Sequence, residues 1–274
     1  INENYEQKMK LSILIKDKFS SISNYIRLTT KYIGGVCGLI IYSFPAYIFE
    51  KKDKKTIQKN FMSQVYFTGN LALQLVSFVA LALGAVTIIE VFTQLSKLGA
   101  IDFIGQILNI VIIRELGPLI TAFIVISRSS SAIATEISTM VVSNQIDAME
   151  MIGIDPLTFI IFPRIAGVTI ALVILTIYFN AVGLIGGFLV SYITIGMSFD
   201  IFFNMIMNSI SFADIISSIL KSISFGLFIS AIPIYIGFQA KSSTYIPVSA
   251  TKTVMDCILV TIFLDIIFTI VVYI

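Results

Sequence analysis

The sequence predicts an all-α polytopic membrane protein: an N-terminal interfacial helix, five transmembrane helices, and a cytoplasmic helix between the second and third spans. Three observations predict it. Of the 274 residues, 57% are hydrophobic and only 12% charged, and the mean hydropathy of +0.97 is far above that of a soluble domain with a polar surface. A helical span needs roughly 20 apolar residues to cross about 30 Å of hydrocarbon, so five crossings use most of this chain. Finally, the polar connections between the apolar runs carry their positive charge unevenly, as membrane topology requires. A net charge of +2 is too small to argue for nucleic acid. The organisation read from this is an N-terminal cytoplasmic or interfacial segment over 1–60 and one membrane domain over 61–274.

From Ile1 to Lys31 the chain is polar and of mixed charge, without the basic tip and short apolar core of a cleavable signal. It opens on isoleucine, which leaves room for an upstream domain. Tyr32 to Phe49 is apolar, with Gly34 and Gly38 spaced for close helix contact, but Pro45 interrupts it and Lys51, Lys52, Lys54 and Lys55 follow. A full crossing here would move the lysine-rich start outside, so this stretch is read as interfacial. The five spans follow as Leu71 to Phe92, Phe103 to Ile126, Ile165 to Ile193, Ile215 to Phe238 and Val254 to Ile274. The loops holding Arg128 and Arg164, and Lys241 and Lys252, share one side with the amino-terminal lysines. That side is read as cytoplasmic, the opposite connections holding Lys97 and acidic residues. Cys37 and Cys257 lie far apart in apolar runs, where a thiol behaves as a small hydrophobe and no disulfide is expected.

Ionisable residues inside the spans are the most informative feature. A charged side chain at a helix centre costs about 2.5–3.5 kcal/mol on insertion scales, so it usually faces a bundle interior or a wet cavity. Arg114 and Glu115 interrupt the second span, Lys221 sits near the head of the fourth, and Asp265 lies inside the fifth. Neighbouring helix positions are about 100° apart, so Arg114 and Glu115 serve different faces. Two accounts stand side by side: an ion-pair network holding helices together, or a site in which Arg114 and Lys221 meet an anionic lipid head.

The polar stretch from Ser127 to Arg164 is the second informative feature. Within it, Glu136 to Asp155 places Val142, Ile146, Met149 and Gly153 on one helical face and Asn144, Asp147 and Glu150 off it, with Asp155-Pro156 as a stop. An amphipathic helix there is either a surface-lying loop helix or a docking element for a soluble engine.

The run Arg114-Glu115-Leu116-Gly117-Pro118 is followed by Ser127-Arg128-Ser129, Ala134-Thr135-Glu136-Ile137, Gln145-Ile146-Asp147-Ala148-Met149-Glu150, Gly153-Ile154-Asp155-Pro156 and Pro163-Arg164. In order and spacing this series resembles the signature stretch of MlaE-family ABC transporter permeases, and the likeness continues through Gly183, Gly186, Gly187, Lys221-Ser222 and Leu264-Asp265. The resemblance implies a homodimeric permease that moves phospholipid between the inner membrane and a periplasmic carrier path. Two cytoplasmic ABC ATPase subunits would drive it, with a periplasmic Mce-domain protein and often a small STAS-domain protein as further partners. It implies that Arg114, Glu115, Lys221 and Asp265 line or support the lipid cavity. It also implies that Ser143 to Asp155 is the coupling helix, with Ser143, Asn144, Gln145, Asp147, Met149, Glu150 and Asp155 as ATPase-coupling residues. Two departures stand out. Ser143-Asn144 replaces the family's usual Thr-Glu pair, and Thr244 to Ser249 replaces a glycine-rich approach to the segment at Ala250-Thr251.

No Gly-x-x-x-x-Gly-Lys-Ser/Thr phosphate cradle occurs in the chain, so ATP and magnesium are expected on a partner, and no cofactor or metal is expected here. An intramembrane enzyme is disfavoured because the chain has no histidine and no nucleophile beside a recognisable base. The alternative is an ion-coupled secondary transporter of an amphipathic anion, although no duplicated halves are seen. The expected location is a bacterial inner membrane, with the plastid inner envelope as the alternative.

Overall fold

A computed structural model describes residues 30–45 and 54–273. Lys51 and Lys52, and the start up to residue 29, lie outside the described residues. The elements are α1 over 30–45, α2 Lys54–Leu98, α3 Ile104–Val142, α4 Gln145–Met151, α5 Phe162–Ile195, α6 Phe199–Ser209, α7 Phe212–Gly237 and α8 Tyr245–Tyr273. Five of them, α2, α3, α5, α7 and α8, are long and apolar enough to cross a membrane.

Small residues set how closely these spans approach. On α2, Ala72, Val76, Ala80 and Gly84 recur every fourth position and are all buried, the spacing that stacks side chains on one helical face. This stripe runs along α5. A side chain at Gly84 would strike the backbone carbonyl of Gly183, and a Cβ at Gly186 would come within 2.6 Å of the Leu81 carbonyl oxygen. The α2 and α5 backbones therefore touch, and dispersion between them replaces the hydrophobic force that lipid does not provide. Two turns earlier on α5, Thr176 shares hydroxyl bonds with Thr121 of α3 at 2.9 Å and Ser222 of α7 at 3.0 Å, a polar seam buried among three helices.

α1 crosses one end of the bundle. Tyr32 meets the Tyr235 ring edge-on at 5.2 Å near the finish of α7, and Phe44 meets Phe162 at the start of α5 at 5.7 Å. Both ends of α1 thus touch the same end of the spans, the arrangement of an interfacial helix. Lys54, Lys55 and Lys59 at the start of α2, Arg164 at the start of α5, and Lys241 and Lys252 around the start of α8 gather at this end. Lys97 closes α2 at the other. The charge bias makes the α1 end cytoplasmic.

The helices overrun the apolar runs that announce them. α2 has 45 residues, and α3 continues past Ile126 through a polar stretch read as connection and on into residues read as a separate helix, to Val142. It does so in uneven steps: Asn109–Leu116 and Ile126–Ser130 are wound as π-helix. The first widened turn ends where Pro118 follows Gly117. Proline lacks the donor for the ordinary helical bond and its ring crowds the preceding turn, and a wider turn accommodates both. α6 lies where the sequence reading had only a mixed connection. Its Phe202 and Ile206 bury against Ile88, Leu95, Ile104 and Leu108, and Gly105 lets its backbone approach α3.

Candidate functional site

Glu115, Lys221 and Asp265 come together from three helices. The Lys221 ammonium donates to Glu115 Oε2 at 2.6 Å, to Asp265 Oδ1 at 3.0 Å and to Thr269 Oγ1 at 3.2 Å, and Thr269 in turn donates to Glu115 at 3.3 Å. Three donor hydrogens meet three acceptors, so the ammonium is saturated. The Lys221 side chain is 1% exposed, against 18% for Asp265 and 28% for Glu115. The cluster is sealed at its cation and open at Glu115. Counting 1.5 Å per residue from the non-cytoplasmic ends of α3, α7 and α8, it lies roughly 12–16 Å in, within the outer half of the spans.

Arg114 points elsewhere. Its Nη1 lies 3.4 Å from Asp214 Oδ1, with both side chains mostly buried. Asp214 also accepts from Asn109 Nδ2 at 2.6 Å and from the Ser211 amide at 3.0 Å, while the Ser211 hydroxyl caps the start of α7. The adjacent pair therefore serves two separate ion clusters, as their angular offset requires. Asp214 and Thr269 are site residues that sequence reasoning did not single out. The Ser211-x-x-Asp214 pattern ahead of an apolar run is a capping-box signal that marks Asp214 as structurally engaged.

Taken together the two clusters hold two cations and three carboxylates, a formal charge of −1. That differs from a cationic cage formed by Arg114 and Lys221, because each of these is already paired with carboxylate. Of the four residues expected at the lipid cavity, Glu115 is the most exposed. Lys221 and Asp265 fix its position, and Arg114 braces α3 against the start of α7.

The expected coupling segment is reshaped. The continuous helix read over Glu136 to Asp155 is two pieces, because Asn144 adopts a left-handed conformation at φ 55° that separates the end of α3 from α4, and Gly153 at φ 79° ends the second piece before Asp155. Asparagine tolerates this conformation better than most residues. Ser143 belongs to the end of α3 and donates to the Thr139 carbonyl at 2.7 Å. Asp155 caps the next turn, accepting from the Leu157 amide at 3.1 Å and the Thr158 hydroxyl at 2.7 Å. Between them α4 keeps Ile146 buried and Met149 half-buried against the core, and exposes Gln145, Asp147 and Glu150. Arg164 is bonded to Glu136, tying α5 to α3 at the root of this loop. Met151 and Ile152 stand exposed at the tip. No group of three or more potential metal ligands occurs among the described residues.

Residues 61–271 match the family described as Permease MlaE, which takes in every span and both ion clusters. The chain belongs to the MlaE permease family. Among its relatives, the intermembrane phospholipid transport system permease protein MlaE of Haemophilus influenzae is 31% identical over 160 residues, covering 57% of this chain and 61% of that one. A probable ABC transporter permease protein of Synechocystis is 32% identical over 151 residues, covering 55% and 57%. The chloroplastic protein TRIGALACTOSYLDIACYLGLYCEROL 1 of Arabidopsis thaliana is 33% identical over 151 residues, covering 55% and 42%. The chain thus spans about two-fifths to three-fifths of the length of these relatives. MlaE-family membership accounts for the five spans and for the motif series running from Arg114 to Arg164.

Proposed function

We propose that this chain is the permease subunit of an ABC transporter moving phospholipid between a bacterial inner membrane and a periplasmic carrier path. The observation that carries the reading is the Glu115–Lys221–Asp265 cluster: charge held at lipid depth, in the outer half of the spans, sealed at Lys221 and open at Glu115. A carboxylate left partly open at this depth can accept a hydrogen bond from the ammonium or hydroxyl of a lipid headgroup. The Haemophilus influenzae relative named for intermembrane phospholipid transport supports the substrate class.

In this reading two copies form a homodimer and enclose the lipid between them, with Glu115 at the wall. ATP and magnesium belong to a pair of cytoplasmic ABC ATPase subunits, since the chain has no phosphate cradle of its own and performs no catalysis. The exposed Gln145, Asp147 and Glu150 of α4 meet that partner. Closure of the ATPases pushes α4, α3 carries the displacement to Glu115, and the cavity narrows until lipid leaves toward an Mce-domain protein on the periplasmic side. A STAS-domain protein completes the assembly. Lys221 and Asp265 are positioning residues that hold Glu115, and Arg114 supports the same segment of α3 through Asp214. The plastid inner envelope is the alternative location, supported by the chloroplastic relative.

The test is ATP-dependent phospholipid transfer by the reconstituted complex in liposomes. Glu115→Gln is expected to lower it about tenfold, the loss of one charge-assisted hydrogen bond, with the ATPase still attached. Unchanged transfer by an intact complex overturns the site. Transfer that follows an ion gradient and ignores ATP overturns the ABC reading in favour of an ion-coupled secondary transporter of an amphipathic anion.

A further inference from the structure

A hollow lies at the opposite end of the molecule from the ion clusters, where α1, the finish of α7 and the start of α8 meet. It is partly open, with a volume of about 1300 Å³. Its rim carries Lys31 from α1, Lys241 from the α7–α8 connection and Lys252 from α8, all exposed. None of the three has a carboxylate within ion-pair distance among the described residues, whereas Lys221, Arg114 and Arg164 all do. Three ammonium groups against one carboxylate among the described lining residues give the hollow a net positive rim.

The wall is graded in polarity. Along α8, Lys252, Asp256, Leu259 and Val260 line the hollow at intervals of four, seven and eight residues, so they share one face of the helix. The face turns from ammonium to hydrocarbon over about 12 Å. Among the described residues of the lining, Asp256 is the only carboxylate. It sits one turn deeper than Lys252 and accepts the Tyr32 hydroxyl at 2.9 Å. Burial and that carboxylate push the Tyr32 phenol well above its usual range, so it stays a donor. The Lys252 ammonium stands 6.0 Å above the Tyr32 ring. Tyrosine beside lysine, with aliphatic side chains further in, is the residue order of a membrane–water boundary. A small inorganic anion would use only the rim. The gradient fits a molecule that is anionic at one end and apolar at the other.

We infer that this hollow is a binding site for an anionic phospholipid of the cytoplasmic leaflet, its phosphate held by Lys31, Lys241 and Lys252 and its acyl chains lying along Leu259 and Val260. The site is separate from the outer ion clusters and does not depend on the transport reading. It places a lipid against α1 and α8 at the inner face, at the other end of the helix that carries Asp265 and Thr269.

The experiment is lipid retention by the full chain purified into nanodiscs of equal phosphatidylglycerol and phosphatidylcholine, read by native mass spectrometry. The wild type should retain phosphatidylglycerol selectively. Each juxtamembrane lysine contributes about a fivefold preference, so Lys241→Gln with Lys252→Gln should reduce the enrichment roughly 25-fold. Lys241→Arg with Lys252→Arg should keep it, and Lys97→Gln at the far end should leave it unchanged. Undiminished enrichment in the glutamine pair overturns the inference, as does equal loss in the arginine pair, since charge would then not be the holding force. Displacement of the lipid signal by millimolar inorganic phosphate also overturns it, by showing a small-anion site.

Discussion

Lys221 is held by two carboxylates and a hydroxyl in a site that water barely reaches, and each partner comes from a helix other than its own. Removing one member of such a set leaves buried charge uncompensated. Lys221→Met is expected to destabilise the protein by about 3–5 kcal/mol, and adding Glu115→Gln and Asp265→Asn should recover much of that loss. Thermal melting in detergent checks both, and a wild-type midpoint for Lys221→Met would show that the cluster does not bear on stability. Separating Arg114 from Glu115 was legible from helical geometry alone, because adjacent positions face different ways. Finding Asp214 as the partner of Arg114 was not. That pairing depends on α6 folding back to bring the start of α7 beside Asn109, which no local pattern announces.

Among the elements, the positions of the five spans were legible because hydrocarbon demands long apolar runs. Their lengths were not, because a helix continues wherever its backbone bonds stay satisfied, whether or not the side chains are apolar. Ser127 to Thr135 reads as loop by composition yet joins the span to the helical stretch from Glu136, so that α3 runs on to Val142, its Ser131, Thr135 and Thr139 hydroxyls folding back onto carbonyls one turn earlier. α4 was anticipated in kind but not in extent, since the break at Asn144 rests on one backbone angle. Two expectations belong here. Gly84→Ala should cost about 1–3 kcal/mol by driving α2 off α5, whereas Gly34→Ala, which meets no atom within 4 Å, should be neutral or slightly stabilising. Melting curves of the two variants make the comparison. Reversing charge at Asp147 and Glu150 together should loosen the ATPase partner. Co-purification at wild-type yield would remove α4 from that interface.

At the scale of the whole molecule, the ends differ in chemistry. Lysines and arginines crowd the end that α1 crosses, and the outer end carries α6 with its exposed Phe199, Ile201, Phe203 and Met207. A cysteine placed at Lys241 should react with impermeant reagents from the cytoplasmic side, and one at Lys97 from the opposite side. The reverse pattern would invert the topology. Only some residues of α2 and α8 are buried within the protomer. Much of their surface faces outward, open to lipid or, in the proposed homodimer, to a second copy.

α3 connects the two ends, and it does so with surplus winding. Each π segment stores a spare residue in an otherwise ordinary helix. Such slack can be handed along the axis turn by turn, and as it passes a position it swivels that side chain by about a quarter turn while the helix ends stay put. Glu115 lies inside the π stretch from Asn109 to Leu116. In the proposed coupling, a modest twist delivered from the cytoplasmic loop would turn that carboxylate away from Lys221 without hauling a whole span through the bilayer.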